Sequence, residues 1–213
     1  GKIVTPLKDR MGSEIRTHYP ATVEEGMAIT AQEAWTERGT TRQLVVPDYL
    51  REVVEQVAFL AREDKRVDRR SGVSQRLPIA CLEAVVSSAE QRAARNREGR
   101  TAARISDVYA AAPAITGKLE LEYEGELKGA DAVAREIIRG AVGKVFLRHL
   151  NQANLQPVIQ WFEMGGELKL PETASAAEEL AAVRGIQGLL EHVEALGAKP
   201  GDAPLAAAAG EFI

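Results

Sequence analysis

The stretch "SQRLPIACLEAVVSSAEQRAARN", residues 74–96, sets the fold class. Leu77, Cys81, Leu82, Val85 and Ala89 recur at three- and four-residue spacing, which places them on one face of a helix. Ser74 stands where an N-cap belongs, and Pro78 falls within about the first turn. The single cysteine, Cys81, lies on the apolar stripe and is expected in the core.

The same periodicity runs outward from this helix in both directions. "PDYLREVVEQVAFLAREDK" (47–65) repeats it with Leu50, Val53, Val54, Val57, Ala58 and Ala61, and Pro47 opens it. "ATVEEGMAITAQEAWTERG" (21–39) has Thr22 three residues before Glu25, a capping-box spacing, with Gly39 as a stop. Downstream, a loop holds Gly99, and Ser106-Asp107 starts a short helix that ends before Pro113. Residues 131–150 form the strongest helix, with Val133, Ala134, Ile137, Ile138, Ala141, Val142, Val145 and Phe146 on its apolar face. "LQPVIQWFEMGG" (155–166) reads as a shorter helix stopped by paired glycines. "ASAAEELAAVRGIQGLLEHVEALG" (174–197) reads as one helix capped by Gly197, and "AKPGDAP" (198–204) as a turn. Two segments alternate instead. Residues 14–19 place Ile15, Thr17 and Tyr19 opposite Arg16 and His18, and "GKLELEYEGE" (117–126) alternates leucine and tyrosine with glutamate. The expected fold is mainly α, with one short strand near the N-terminus and a strand or half-hairpin near 118–124. No solenoid-type repeat is present.

The 213 residues suffice for a sizeable core. With a formal net charge of −4, no global basic field draws the chain to nucleic acid or to an anionic membrane. No apolar run approaches the roughly 20 residues of a bilayer span. Residues 1–20 are charged and polar rather than signal-like, and a lone cysteine suits a reducing compartment, so the expected location is cytoplasmic. Gly1 replaces an initiator methionine, and the chain stops after an Ala-rich apolar run. A piece of a longer protein is expected.

Much familiar chemistry is missing from the sequence. It contains no G-x-x-x-x-G-K-[ST] loop, no G-x-G-x-x-G and no cysteine cluster. His18, His149 and His192 lie far apart, so no metal site is expected. The glutamates of residues 117–126 read as the solvated side of a strand. Trp35 and Trp161 have no second aromatic beside them, which argues against a platform for stacked bases.

Two arginines stand out. Arg10 ends the run Leu7-Lys8-Asp9-Arg10 in "TPLKDRMGSEIRTHYP" (5–20). It reads either as a solvated loop residue paired with Asp9 or as a group aimed at another molecule. Arg76 falls at the second helical position if Ser74 is the cap. A cation there opposes the helix dipole unless an anion offsets it. Free backbone amides beside a guanidinium suit a phosphate. Arg69 and Arg70 add charge to the same neighbourhood, and a plain basic surface turn is the alternative.

The order of these pieces carries a resemblance. "LKDR" and the segment ending "HYP", two helices, "SGVSQR" opening a third and "ISDVYAAAPAI" closing the unit resemble the C-terminal part of MoxR-type AAA+ ATPases, close to the magnesium-chelatase ATPase subunit. Met11 stands where a typical relative has phenylalanine. The likeness is strong over residues 3–112 and weaker beyond. It implies that residues 1–20 end a nucleotide core, 21–117 form the helical lid, and 118–213 form a helical extension. It implies that Arg10 is the arginine finger, acting in trans on the γ-phosphate held by an adjacent subunit of a ring. It implies that Arg76 is the sensor-2 arginine, contacting the nucleotide; relatives differ in whether it acts within a subunit or across the interface. The implied ligands are ATP and Mg²⁺, held mainly by a core with phosphate loop that these residues lack. The implied partners are further copies in a homo-oligomeric ring, such as a hexamer, and a protein with a von Willebrand factor A domain. The expected activity is ATP hydrolysis coupled to remodelling of a partner protein, with the isolated chain inactive. The rivals are a non-enzymatic helical interaction module and a DNA-handling AAA+ relative such as a helicase loader. The acidic balance weighs against the latter.

Overall fold

The computed structural model describes residues 5–39, 41–199 and 201–213. A short helix α1 (Thr5–Asp9) is followed by α2 (Val23–Glu33), β1 (Gln43–Val45), α3 (Asp48–Glu63) and α4 (Arg76–Asn96). Then come β2 (Arg100–Ala102), α5 (Ile105–Ala110), α6 (Ala112–Thr116), α7 (Tyr123–Lys128) and α8 (Ala130–Leu150). The chain closes with α9 (Gln156–Glu163), α10 (Ala176–Arg184), a 3₁₀ helix (Leu189–Leu196) and α11 (Ala203–Phe212). The fold is mainly helical, as its periodicity predicts.

Helix α3 lies at the centre. Val53, Val57, Ala58 and Ala61 are fully buried, and α2, α4 and α8 pack around it. Cys81 and Leu77 of α4 and Val133, Ile138 and Ala141 of α8 complete the same apolar core, which reaches Phe212 near the C-terminus. Burial pushes the Cys81 thiol up to about 12, so it stays an unreactive core group at neutral pH. A smaller core of Val158, Leu180, Val183, Ile186, Leu189 and Ala207 joins α9, α10, the 3₁₀ helix and α11. No helix among the described residues is long and apolar enough to cross a membrane.

Several expectations are corrected. Residues 14–19 form no strand: no ladder among the described residues includes them, and Ile15 is 84% exposed. Alternation supplies a face, but a strand also needs a neighbour to receive its amides. Residues 1–4 of that expected core end lie outside the described residues. The segment near 118–124 makes a single antiparallel bridge, Val67 with Leu121, and then enters α7 at Tyr123. A two-stranded parallel ladder, Gln43 to Arg100 through Val45 to Ala102, went unpredicted. Its three-residue strands are too short to show a period.

The expected helix 21–39 stops at Glu33. Residues beyond it are drawn onto α4, where Glu83 accepts from the Trp35 amide and Arg38 donates to Ser87, Glu90 and the Glu83 carbonyl. At its start, Thr22 Oγ1 accepts from the Glu25 amide at 3.2 Å, and the Glu25 carboxylate reaches back to the Ala21 amide. The expected helix 174–197 breaks into α10 and the 3₁₀ helix across Gly185 and Gly188. Gly188 adopts φ +80°, a backbone that other residues resist. Gly197 does cap the second piece. Pro200, within the expected turn, lies outside the described residues. Trp161 is not isolated either, since its ring meets Phe162 edge-on at 4.9 Å.

Candidate functional site

The chain from the end of α3 to the start of α4 is held at nearly every residue. Asp64 takes Arg66 at 2.6 Å, Arg66 also reaches Glu136 of α8, and Lys128 of α7 shares that carboxylate. Lys128 first and then Arg66 hold the Glu136 carboxyl down at about 2. Backbone bonds from Asp68 to Glu120 and from Glu122 to Arg66 flank the single bridge to Leu121. Gly72 turns the chain with φ +70°, and Val73 enters the core.

Beyond Val73 the supports are polar and inward. Arg62 of α3 donates through Nε to the Val73 carbonyl and through Nη2 to Gln75 Oε1, both at 3.0 Å. The Gln75 amide donates to both oxygens of Glu55, at 2.8 and 3.0 Å, and to Thr30 Oγ1 at 3.1 Å. Thr30 in turn donates to Glu55 at 2.9 Å. Gln75 therefore bridges a cation and an anion, its acceptor end facing the guanidinium and its donor end the carboxylate. Glu55 is wholly inaccessible to solvent. Burial raises its carboxyl, and the Gln75 and Thr30 hydrogen bonds oppose that rise. Burial likewise lowers the Arg62 guanidinium, with Glu55 opposing. The close approach of α2 needs Gly26, because a Cβ there would overlap the Glu55 carboxyl.

Tyr19 joins this frame from the N-terminal segment. The Arg62 guanidinium lies 4.3 Å over its ring, and the Tyr19 hydroxyl accepts from the Val73 amide at 3.1 Å. A cleft of about 380 Å³ opens beside it, lined by Tyr19, Arg62, Asp68, Arg69 and Gly72.

Arg76 is the first residue of α4, one position earlier than expected, because Gln75 rather than Ser74 occupies the cap. The Ser74 hydroxyl accepts from the Arg76 amide at 3.3 Å. Arg76 is exposed, and its guanidinium has no hydrogen-bond or ion-pair partner among the described residues. Arg70 pairs with Asp68, and Arg69 turns to the Glu63 carbonyl, so the expected reinforcement of charge by these two is largely spent locally. Arg10 follows α1, is exposed, and its side chain is likewise unpaired among the described residues. No contact among the described residues brings Arg10 and Arg76 together.

The motif reading picked Ser74 and Arg76 and passed over the residue between them. The missed signal was a glutamate, Glu55, on the core-facing side of an amphipathic helix. A buried carboxylate needs donors, and Gln75 and Thr30 supply them. No three His, Cys, Asp or Glu side chains among the described residues are grouped to hold a metal ion. No protein-family model, curated protein or solved structure matches the chain.

Proposed function

We propose that this chain is the lid and C-terminal part of an oligomeric AAA+ ATPase of the MoxR type, which couples ATP hydrolysis to remodelling of a partner protein. Residues 1–20 end the nucleotide core, 21–117 form the lid and 118–213 the extension. ATP and Mg²⁺ bind to a core that carries the phosphate loop, and the ring is built from further copies of the chain. The partner with a von Willebrand factor A domain belongs to this same proposal.

One observation carries the reading. Arg76 is unpaired and exposed at the head of a 21-residue helix whose approach is fixed by the Arg62–Gln75–Glu55–Thr30 network. Unspent positive charge on so rigid a mount is the arrangement a triphosphate requires, since the donors need no reorganisation as charge develops. The stacking of Tyr19 on Arg62 further ties the segment leaving the core to the loop ahead of Arg76. In the longer protein carrying the phosphate loop, Arg76→Ala should weaken nucleotide binding and slow hydrolysis while leaving thermal stability within about 0.5 kcal/mol of wild type. Unchanged ATPase kinetics would remove Arg76 from the site.

A non-enzymatic interaction module is the second reading. It is favoured by Ile159, Phe162 and Met164, which stand exposed on and just after α9. A parent sequence with no phosphate loop upstream of Gly1 would decide for it.

A further inference from the structure

Helix α11 is fastened to the body through a buried ionic cluster that contains one acid too many. Arg104, just ahead of α5, is 2% exposed. It donates through Nη1 to Glu179 of α10 at 2.5 Å, through Nη2 to the Glu172 carbonyl, and through Nε to Ser106 Oγ. Glu211 of α11 approaches the same guanidinium at 3.4 Å, but the Nε hydrogen is already directed at Ser106. Glu211 Oε1 accepts from the Ser106 amide at 3.0 Å. Two carboxyl oxygens, Glu179 Oε1 and Glu211 Oε2, are left buried without a donor among the described residues, and both acids converge on the one Arg104 guanidinium.

With both acids ionised, the cluster would hold two negative charges against one positive charge, with two buried oxygens lacking a donor. One proton on the pair removes the excess charge and supplies a donor where the buried oxygens have none. We propose that Glu179 and Glu211 hold a single proton between them, and that this proton is the condition for firm seating of α11 against α10 and α5.

The other groups facing Glu211 do not supply the missing donor. From α3, Tyr49 packs its ring on Phe212 at 4.7 Å, and its buried hydroxyl makes no hydrogen bond among the described residues. From α5, the Ser106 amide donates to the other Glu211 oxygen. Asp107 is engaged by Arg92 at 2.7 Å, and at the far end of α11 Asp202 is engaged by Arg100. Burial, and then neighbouring Glu179, push the Glu211 carboxyl up to about 8, against the lowering pull of Arg104 and Ser106. The folded value lies above the unfolded one. The stabilisation is therefore complete below the ordinary glutamate range and is lost as pH rises through about 8.

Amide hydrogen exchange of residues 203–212, corrected for the intrinsic pH dependence of exchange, tests this. Protection of α11 should fall about tenfold per pH unit from roughly pH 5 to about 8, and then level off. In Glu211→Gln, whose amide can donate to Glu179 without a titrating proton, protection should be flat over that window. Carbon-13 NMR of the glutamate carboxyls provides a second reading: a carboxyl whose signal is lost in Glu211→Gln should remain protonated at neutral pH. If every glutamate carboxyl titrates in the ordinary range, or if Glu211→Gln follows the wild-type pH profile, the shared proton is disproved.

Discussion

Arg10→Ala, introduced into the ring-forming parent, is expected to lower ATP hydrolysis by about 10³- to 10⁵-fold while changing nucleotide affinity little. The expectation rests on the proposed function and on where Arg10 sits. It follows α1, is exposed, and no carboxylate among the described residues neutralises it. A guanidinium positioned across a subunit boundary stabilises the charge that develops on the transferred phosphoryl oxygens, and contributes little to holding the ground-state nucleotide. Single-turnover hydrolysis and equilibrium nucleotide binding, measured side by side, separate the two effects. Mixed rings give a sharper result: wild-type subunits placed next to Arg10→Ala subunits should lose activity at sites whose own residues are all intact. A fall in affinity with turnover preserved would reassign Arg10 to nucleotide binding.

Arg104→Met should destabilise this chain by about 3–5 kcal/mol, because it leaves the Glu179 charge buried with no counter-charge. The Glu172, Pro171 and Ala174 carbonyls that Arg104 also reaches lose their donor. For a domain of this size that corresponds to a fall in melting temperature of roughly 6–20 °C. Chemical denaturation with a two-state fit measures it. Replacing all three ionisable partners together, Arg104→Met with Glu179→Leu and Glu211→Leu, should recover most of the loss, since well-packed apolar groups can substitute for a whole buried ionic cluster. A single variant within about 1 kcal/mol of wild type would mean that water reaches Glu179 and solvates it.

The helices were legible where burial obeys a period. The stripes on α3, α4 and α8 all point inward as their spacing requires, because each meets an apolar neighbour along its length. Helix α2 was legible only through its cap: its buried residues are Gly26 and Thr30, which make no apolar stripe. Residues 14–19 were misread because alternation in a single sequence cannot supply the second strand. The β1–β2 ladder was missed for the converse reason, since its pairing is tertiary and each strand is only three residues long. At the site, Arg10 and Arg76 were visible as charges that a ligand could take up. The buried apparatus beneath Arg76 was not, because Glu55, Arg62 and Gln75 become one network only when α2, α3 and α4 meet. Glu179 and Glu211 likewise come from separate stretches of the sequence that meet only at the buried Arg104 guanidinium.

The parallel β1–β2 ladder has a kinetic consequence. Its strands enclose the whole of α3 and α4, so pairing Gln43 with Arg100 closes a long loop whose entropy cost is smallest once both helices have formed. The ladder then acts as a late clasp that reports completion of the helical pair. In a refolding experiment read by pulsed deuterium labelling, the Gln43 and Ala103 amides, which donate to Gly99 and Val45, should gain protection after those in the middle of α3.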